Sequence, residues 1–306
     1  MCLTPNCEEA KCFESLSILV GDNRKAFKLM NTLNVDGSVS LPFYGNAIYA
    51  AIGKNTEEVS QVYKRVSEAF ESERIDYSII PSTSPLFPQN KSKEPVYYLY
   101  AAGKKDLLAK RKVICLGSPM PSIQGKSDMA KAVSAIVSLD GAVLAPLDNG
   151  LGAFALSMAL REGGAAIAIL SSPLSKCQNP NLLDLMNALY ERGLLISQFA
   201  PSVKSQKWHV VLRNRFIAGI SESVYLAEDK DGGPSWAIFD LAKELGCSTK
   251  LAKSFVENPN YKWSLERVQS GSLVEKSPLD MKKLLPQRAN REKRVEFDNL
   301  IPDLFS

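Results

Sequence analysis

Short apolar runs that alternate with helical patterns restrict the fold of this 306-residue chain more than any other feature. Each run has four to six residues and is bounded by turn-forming or charged residues. The runs are VICLG (113–117), AVLA (142–145), AAIAIL (165–170), LLISQF (194–199) and SVYLAE (223–228). Runs without polar alternation are typical of strands buried on both faces. Together with the intervening helical patterns they predict an α/β fold, a doubly wound, mostly parallel, Rossmann-like sheet.

The first part of the chain has a different pattern, since residues 13–80 indicate mostly helix. Residues 55–70 predict a helix with Asn55 or Thr56 as its N-cap and with one apolar face, made of Val59, Val62, Val66 and Phe70. A Pro- and Ser-rich segment follows at 81–94 and indicates a linker or an extended loop. The expected division is a small helical N-terminal domain (1–80), a Rossmann-like domain (81–285) and a basic-then-acidic tail (286–306).

The segment LRNRFIAGIS (212–221) raises the main functional question. It predicts a short helix whose first turn holds Arg213, Asn214 and Arg215. Cationic side chains are slightly unfavourable at a helix N-terminus, whereas an anion bound there is favourable. One interpretation is therefore a phosphate site at the carboxyl end of a strand. The alternative is a solvated turn in which the arginines pair with nearby carboxylates.

The residues before this segment favour the phosphate site. Trp208 and His209, the single histidine, precede it, and Lys204 and Lys207 lie just upstream. An aromatic ring beside cationic groups is suited to stacking a nucleobase while the cations hold phosphate. The net charge of +4 is compatible with such contacts but does not require them.

Several segments, taken in order, resemble the family of the DNA-processing protein DprA, also called Smf, over residues 84–285. WHVVLRNRFIAGIS resembles the family's HFPRRNRIIAGLS, which is the most specific of the matches. VICLGSPMPS resembles the family's strand and Gly-Ser-Arg turn. GLGAFALSMALREGGAAIAIL resembles the helix and strand that follow its SGLARGID motif.

The resemblance implies a Rossmann-like protein that binds single-stranded DNA, dimerises and loads the recombinase RecA during natural transformation. Ser118, Arg213, Asn214 and Arg215 would then contact DNA, and His209 would stand where the family also has histidine. Gly117 and Gly219 would allow close approach of the backbone. With the upstream residues, the predicted DNA- and phosphate-binding set is Gly117, Ser118, Lys204, Lys207, Trp208, His209, Arg213, Asn214, Arg215 and Gly219.

Much of the family's phosphate pocket is replaced in this sequence. The arginine of the Gly-Ser-Arg turn is a proline here. Where the SGLARGID motif has serine, arginine and aspartate, this sequence has alanine, asparagine and glycine. The positions concerned are Pro119, Ala145, Asn149 and Gly152. No strand is evident after residue 246, and no winged-helix domain follows. These changes indicate that the scaffold is kept while the pocket has lost charge.

Two other functions compete with DNA binding. Related folds include nucleotide phosphoribohydrolases that resemble the LOG proteins, with a PGGxGTxxE motif. The nearest segment here, DKDGGPSWAIFD, has neither the Gly-Thr pair nor the catalytic glutamate, so we expect no enzyme activity. The third reading is an interaction protein with a decayed pocket, in which the tail FDNLIPDLFS docks a partner. The choice between DNA and a free nucleotide as the ligand stays open.

We expect no cofactor and no metal. Three of the six cysteines are spaced C-x4-C-x4-C at the N-terminus, without the two-residue gaps of zinc knuckles. No apolar run reaches the length of a membrane span, and no export signal is evident. The expected location is the cytoplasm. The expected partners are single-stranded DNA, a RecA-type recombinase and a second copy of the chain.

Overall fold

A computed structural model describes residues 6–33, 53–176 and 179–274. The helices are α1 (Cys7–Val20), α2 (Asn23–Leu33), α3 (Thr56–Glu71), α4 (Ile123–Ser138), α5 (Leu151–Arg161), α6 (Leu183–Arg192), α7 (His209–Gly219), α8 (Pro234–Glu244), α9 (Lys253–Val256) and α10 (Lys262–Gln269). The strands are β1 (Ser78–Pro81), β2 (Tyr98–Gly103), β3 (Lys112–Leu116), β4 (Ala142–Pro146), β5 (Ala165–Leu170), β6 (Leu194–Ser197), β7 (Ser223–Leu226), β8 (Ser248–Leu251) and β9 (Leu273–Val274). Short 3-10 helices cover Lys105–Ala109, Leu174–Lys176 and Pro180–Leu182.

The strands of the described residues form one sheet in the order β1-β2-β6-β5-β4-β3-β7-β8-β9. From β6 to β9 every neighbouring pair is parallel, whereas β2 pairs antiparallel with both β1 and β6. The chain starts this parallel part at β3 and adds β4 to β6 on one side. It then returns to β3 and adds β7 to β9 on the other side. The predicted doubly wound, mostly parallel fold is confirmed.

Apolar packing explains why the central strands lie where they do. Every residue of β4 and β5 is buried, so these strands are covered on both faces. Helix α5 contacts β3, β4 and β5, and α7 contacts β4 and β5. Parallel strands with both faces covered need near-continuous apolar sequence, which AVLA and AAIAIL supply.

The N-terminal helices pack against the antiparallel edge of the sheet. Phe13 of α1 lies 5.3 Å from the ring of Tyr97 and 5.1 Å from that of Tyr98. Helix α3 begins at the predicted cap, because the Asn55 side chain accepts a hydrogen bond from the Glu58 amide at 2.8 Å. The predicted apolar face of α3 is buried, as expected, at Val59, Val62, Val66 and Phe70.

The predicted division into domains stays a prediction. Strand β1 spans the expected boundary at residue 80 and pairs with β2 in the main sheet. The expected tail, 286–306, lies outside the described residues, as do Cys2 and Cys177 of the six cysteines.

Strand β8 was missed by the sequence analysis. Its Lys250 is 3% exposed, and the Thr249 hydroxyl bonds to Ser272 Oγ at 3.0 Å. Polar residues buried in a strand conceal the apolar pattern by which strands are recognised.

Candidate nucleic-acid interface

The carboxyl edge of the parallel strands gathers the polar residues that follow each strand. The strand order reverses between β3 and β7, which is where open α/β sheets bind ligands. Gly117 follows β3, Asp148 lies two residues beyond β4, and Glu228 lies two residues beyond β7. A ligand bound at this edge would therefore lie near the carboxylates of Asp148 and Glu228.

A cavity of about 150 Å³ opens at this edge, between the ends of β3 and β4 and helix α7. We call it the Arg213 cavity, after the cationic side chain in its wall. Three of the replaced family positions line it, namely Pro119, Asn149 and Gly152. Its other walls include Gly117, Asp148, Val210, Arg213, Asn214 and Ile238.

Arg213 is 3% exposed, and its guanidinium is held by two neighbours. Nη1 donates to Asp148 Oδ2 at 2.7 Å, while Nε and Nη2 donate to Asn214 Oδ1 at 3.2 and 3.0 Å. The Asp148 side chain is 60% exposed. Asp148 thus offers Arg213 a carboxylate oxygen where a bound nucleic-acid strand would offer a phosphate oxygen.

Arg215 lies further along α7 and is also paired. Its Nη1 donates to Glu94 Oε1 at 2.5 Å, and both side chains are more than two-fifths exposed. Exposed pairs of this kind contribute little to stability and exchange readily with other anions. The alternative reading from sequence, arginines paired with nearby carboxylates, therefore describes both guanidiniums in this structure.

The predicted position of the Arg213–Arg215 segment in the first turn of the helix is wrong, because α7 begins at His209. The amides of His209, Val210 and Val211 donate to the carbonyls of the three residues that precede the helix, at 3.0, 3.3 and 3.0 Å. Those amides are therefore occupied within their own turn. The expected attraction of an anion to free amides beside Arg213 has no basis here.

His209 is 1% exposed and has a structural environment. Its ring stacks on Phe199 at a centroid distance of 4.1 Å, and the Trp208 ring packs against it in an edge-to-face arrangement at a centroid distance of 4.3 Å. The Gln206 amide donates to His209 Nδ1 at 3.3 Å. Burial lowers the pKa of His209 below its ordinary value of 6.5, against the opposing effect of a hydrogen bond with the Ser171 backbone. A neutral imidazole in this position holds the start of α7 against the segment after β6.

The segment that leads into α7 presents its cations and its indole to solvent. We call residues 204–208 the cationic loop. Lys204 and Lys207 are exposed, and Trp208 is 58% exposed. None of the three has a side-chain hydrogen bond or ion pair among the described residues. An exposed indole beside accessible cations is the arrangement predicted from sequence for contact with a nucleic-acid strand.

The remaining predicted residues contact other parts of the protein itself. The Ser118 amide donates to the Glu228 carbonyl at 2.7 Å, and its hydroxyl bonds to the backbone of Met120 at 3.1 Å. Gly117 lies against the Leu151 side chain, and Gly219 lies against Asn90. At both glycines the close approach is to the chain's own residues.

Sequence reasoning missed two buried carboxylates at this edge. Glu228 accepts hydrogen bonds from the amide and hydroxyl of Ser122, at 2.5 and 2.6 Å, at the start of α4. Asp229 accepts from the Ser235 amide at 3.0 Å at the start of α8. The signal was present in the acidic residues that directly follow the strand in SVYLAED. Each carboxylate occupies a helix N-terminus, a place where open α/β sheets often bind phosphate.

Two glycines make room for these carboxylates. A β carbon on Gly125 would lie 2.3 Å from Glu228 Cδ, and one on Gly233 would lie 2.3 Å from Asp229 Cγ. Both distances are too short for any other residue type.

Comparison with known proteins shows the family of the chain. The model of the family described as DNA recombination-mediator protein A matches residues 78–282, which is more than half of the chain.

The chain belongs to this family.

A relative, DNA processing protein DprA of Bacillus subtilis (strain 168), is 26% identical over 245 residues, covering 79% of this chain and 82% of the relative. The X-ray structure of DprA from Streptococcus pneumoniae superposes with a TM-score of 0.69 at 23% identity, covering 92% of this chain and 97% of that one. DprA from Helicobacter pylori was solved to describe its single-stranded DNA binding mode. It superposes with a TM-score of 0.62 at 17% identity, covering 69% and 96% of the two chains. At these identities the two structures support the fold.

Among the described residues, no helix combines the length and apolarity that a membrane crossing requires.

His209 provides a clean test of this local structure, because it is the single histidine of the chain. We expect its ring resonance in NMR spectra to titrate with a midpoint below 6.5, since burial disfavours the imidazolium. The folded state then binds fewer protons than the unfolded state. The contribution of His209 to the free energy of unfolding is therefore complete above about pH 6.5 and declines as the pH falls towards the lowered pKa.

The control is the same resonance in urea-unfolded protein, which is expected to titrate near 6.5. A midpoint in the folded protein at or above the unfolded one would contradict the buried, stacked position of the ring.

Proposed function

We propose that this protein binds single-stranded DNA along the carboxyl edge of its sheet. The contact surface is the cationic loop, 204–208, together with the Arg213 cavity. The observation that carries the proposal is the exposed Lys204, Lys207 and Trp208 at the start of the helix that supplies Arg213 and Asn214 to the cavity. Membership of the DNA recombination-mediator family supports it, as does the single-stranded DNA binding of the Helicobacter pylori relative.

The predicted residues divide into two roles in this proposal. Lys204, Lys207 and Trp208 contact the strand directly, because they are accessible. Arg213 and Arg215 contact phosphates after exchange of their carboxylate partners. Asn214 contacts phosphate beside Arg213, and Gly117 and Ser118 follow β3 at the same edge of the sheet. His209 and Gly219 are positioning residues, because both are buried within the protein.

Affinity in this arrangement comes from few phosphate contacts. Asp148 and Glu94 each pair with an arginine that a phosphate would otherwise engage. The DNA strand therefore contacts either guanidinium only by displacing the carboxylate that is paired with it. We expect weaker binding than a pocket of unpaired arginines would give, with a smaller dependence of affinity on salt, because fewer phosphates are contacted.

The proposed biological role follows the family. The protein acts in the cytoplasm as a binding protein in DNA recombination, presents single strands to a RecA-type recombinase during natural transformation, and works as a homodimer. Its action involves no catalysis. Two features favour binding over nucleotide hydrolysis. The single histidine is buried in an aromatic stack, and Glu228 occupies the helix N-terminus at which a nucleotide phosphate would be held.

The cationic loop can be tested by fluorescence titration of an oligo-dT at several salt concentrations. The Lys204→Ala/Lys207→Ala variant should bind more weakly. The slope of log affinity against log salt should fall by about 1.4, because each phosphate contact of a single strand contributes ~0.7. Trp208→Ala should weaken binding roughly tenfold through loss of base stacking, with little change in the slope.

The matched control is Lys64→Ala/Arg65→Ala, which removes two exposed cations from α3, away from the Arg213 cavity. If the control and the loop variants lose affinity equally, the proposed location is wrong and only net charge matters.

Asp148 provides a gain-of-function test of the cavity. Asp148→Asn removes the charge that competes for Arg213 but keeps an oxygen acceptor. We expect its affinity for oligo-dT to rise roughly threefold at low salt. Asp184→Asn removes the same charge from an exposed position of α6 and serves as the control. Equal affinity of the two variants in the same titration would place the strand away from the Arg213 cavity.

A further inference from the structure

Unpaired polar atoms are concentrated at a second cavity, separate from the Arg213 cavity. In the part of the chain that the structure describes, five buried side-chain nitrogen or oxygen atoms have no hydrogen-bond partner. Three of them belong to residues that line a single cavity of about 360 Å³, namely Ser17, Tyr100 and Gln198. Buried polar groups are nearly always satisfied, so three exceptions among the residues of one cavity are groups available to bind a ligand there.

The cavity lies between the N-terminal helices and the Rossmann-like sheet. Helix α1 forms one wall, the start of β2 and the residues before it form a second, and the segment from β6 to α7 forms a third. We call it the α1–β2 cavity. Much of its lining is aromatic: Phe13, Tyr97, Tyr98, Tyr100, Phe199, Trp208 and His209. Its volume is in the range of small-ligand sites.

The polar groups of the α1–β2 cavity favour an uncharged ligand with carbonyl or ring-nitrogen acceptors. The Tyr100 hydroxyl, the Ser17 hydroxyl and the Gln198 amide nitrogen can each donate a hydrogen bond. Glu14 also lines the cavity, and burial raises the pKa of its carboxyl to about 7. Near neutral pH this group is present both as an acid that donates and as a carboxylate that accepts. A phosphate would be repelled by the carboxylate, and the cationic residue of the cavity lining is Lys204, at the edge of the cavity.

The opening of the α1–β2 cavity adjoins the cationic loop. Lys204 and Trp208 line the cavity and are exposed, so they belong both to its entrance and to the surface proposed to hold the strand. A strand whose phosphates lie on Lys204 and Lys207 has bases within reach of this entrance. An extruded base is then able to leave the stack and lie between aromatic rings.

We propose that the α1–β2 cavity receives one unstacked nucleobase of the bound single strand, whose acceptor edge is bound by Tyr100 and Gln198. This inference rests on the proposed function and adds a contact to it. Bases with exocyclic carbonyl oxygens, such as thymine, match the donors of the cavity. The N-terminal helices, through α1, then take part in DNA binding.

The test compares oligo-dT with an oligonucleotide of the same length made only of abasic residues. Tyr100→Phe keeps the buried ring and removes a hydroxyl that has no partner, so we expect the fold to keep its stability. Gln198→Met removes the amide and keeps the length of the side chain. Each variant should bind oligo-dT roughly fivefold more weakly than the wild type and bind the abasic strand equally well.

Tyr77→Phe is the matched control, because Tyr77 is also buried but does not line the cavity. It should bind both oligonucleotides as the wild type does, and thermal unfolding shows whether each variant is folded.

The outcomes separate this inference from the proposal on which it rests. If the wild type binds oligo-dT and both cavity variants bind it with the affinity of the wild type, the inference is wrong and the proposed function stands. The inference is also wrong if the variants lose affinity for both oligonucleotides alike, since the effect is then not on a base. If the wild type binds neither oligonucleotide, both proposals fail.

Discussion

Internal carboxylates at the carboxyl edge of the parallel sheet determine what that edge is able to bind. A parallel sheet brings its strand ends together, and with them the N-termini of the helices that follow. In this protein Glu228 and Asp229 accept hydrogen bonds at the starts of α4 and α8, and Asp148 pairs with Arg213. The positive ends that commonly attract phosphate are therefore already neutralised. In the proposed binding mode, the strand is therefore held first by the accessible side chains of the cationic loop.

Helix α7 lies between the Arg213 cavity and the α1–β2 cavity and contributes residues to both. Val210, Arg213 and Asn214 face the Arg213 cavity, whereas Trp208, His209 and Leu212 line the α1–β2 cavity. The buried stack of His209 on Phe199 fixes where this helix begins. A small shift of its first turn would therefore change a phosphate contact and a base contact together. In the proposed binding mode, the buried His209 would therefore affect binding through the position of this helix.

The sequence predicted the fold well where local pattern decides it. β5 lies at residues 165–170 as predicted, and Asn55 caps α3, because both depend on neighbouring residues. The prediction failed where distant residues decide the outcome. Arg213 and Arg215 pair with Asp148 and Glu94, which lie 65 and 121 positions away in the chain. The start of α7 depends on a tight turn that the apolar stripe of the helix does not encode. Local pattern also gave no sign that His209 is buried.

The most direct measurement of the central claim is photo-crosslinking of an oligonucleotide that carries 5-iododeoxyuridine, followed by mass spectrometry of tryptic peptides. Cleavage after Lys207 and Arg213 releases the peptide 208–213, WHVVLR, which contains the exposed tryptophan of the cationic loop. This peptide is expected to carry the main crosslink, and excess unlabelled oligo-dT is expected to abolish it. Crosslinks that leave this peptide unmodified and map to Trp263 or to the tail, 286–306, would contradict this expectation.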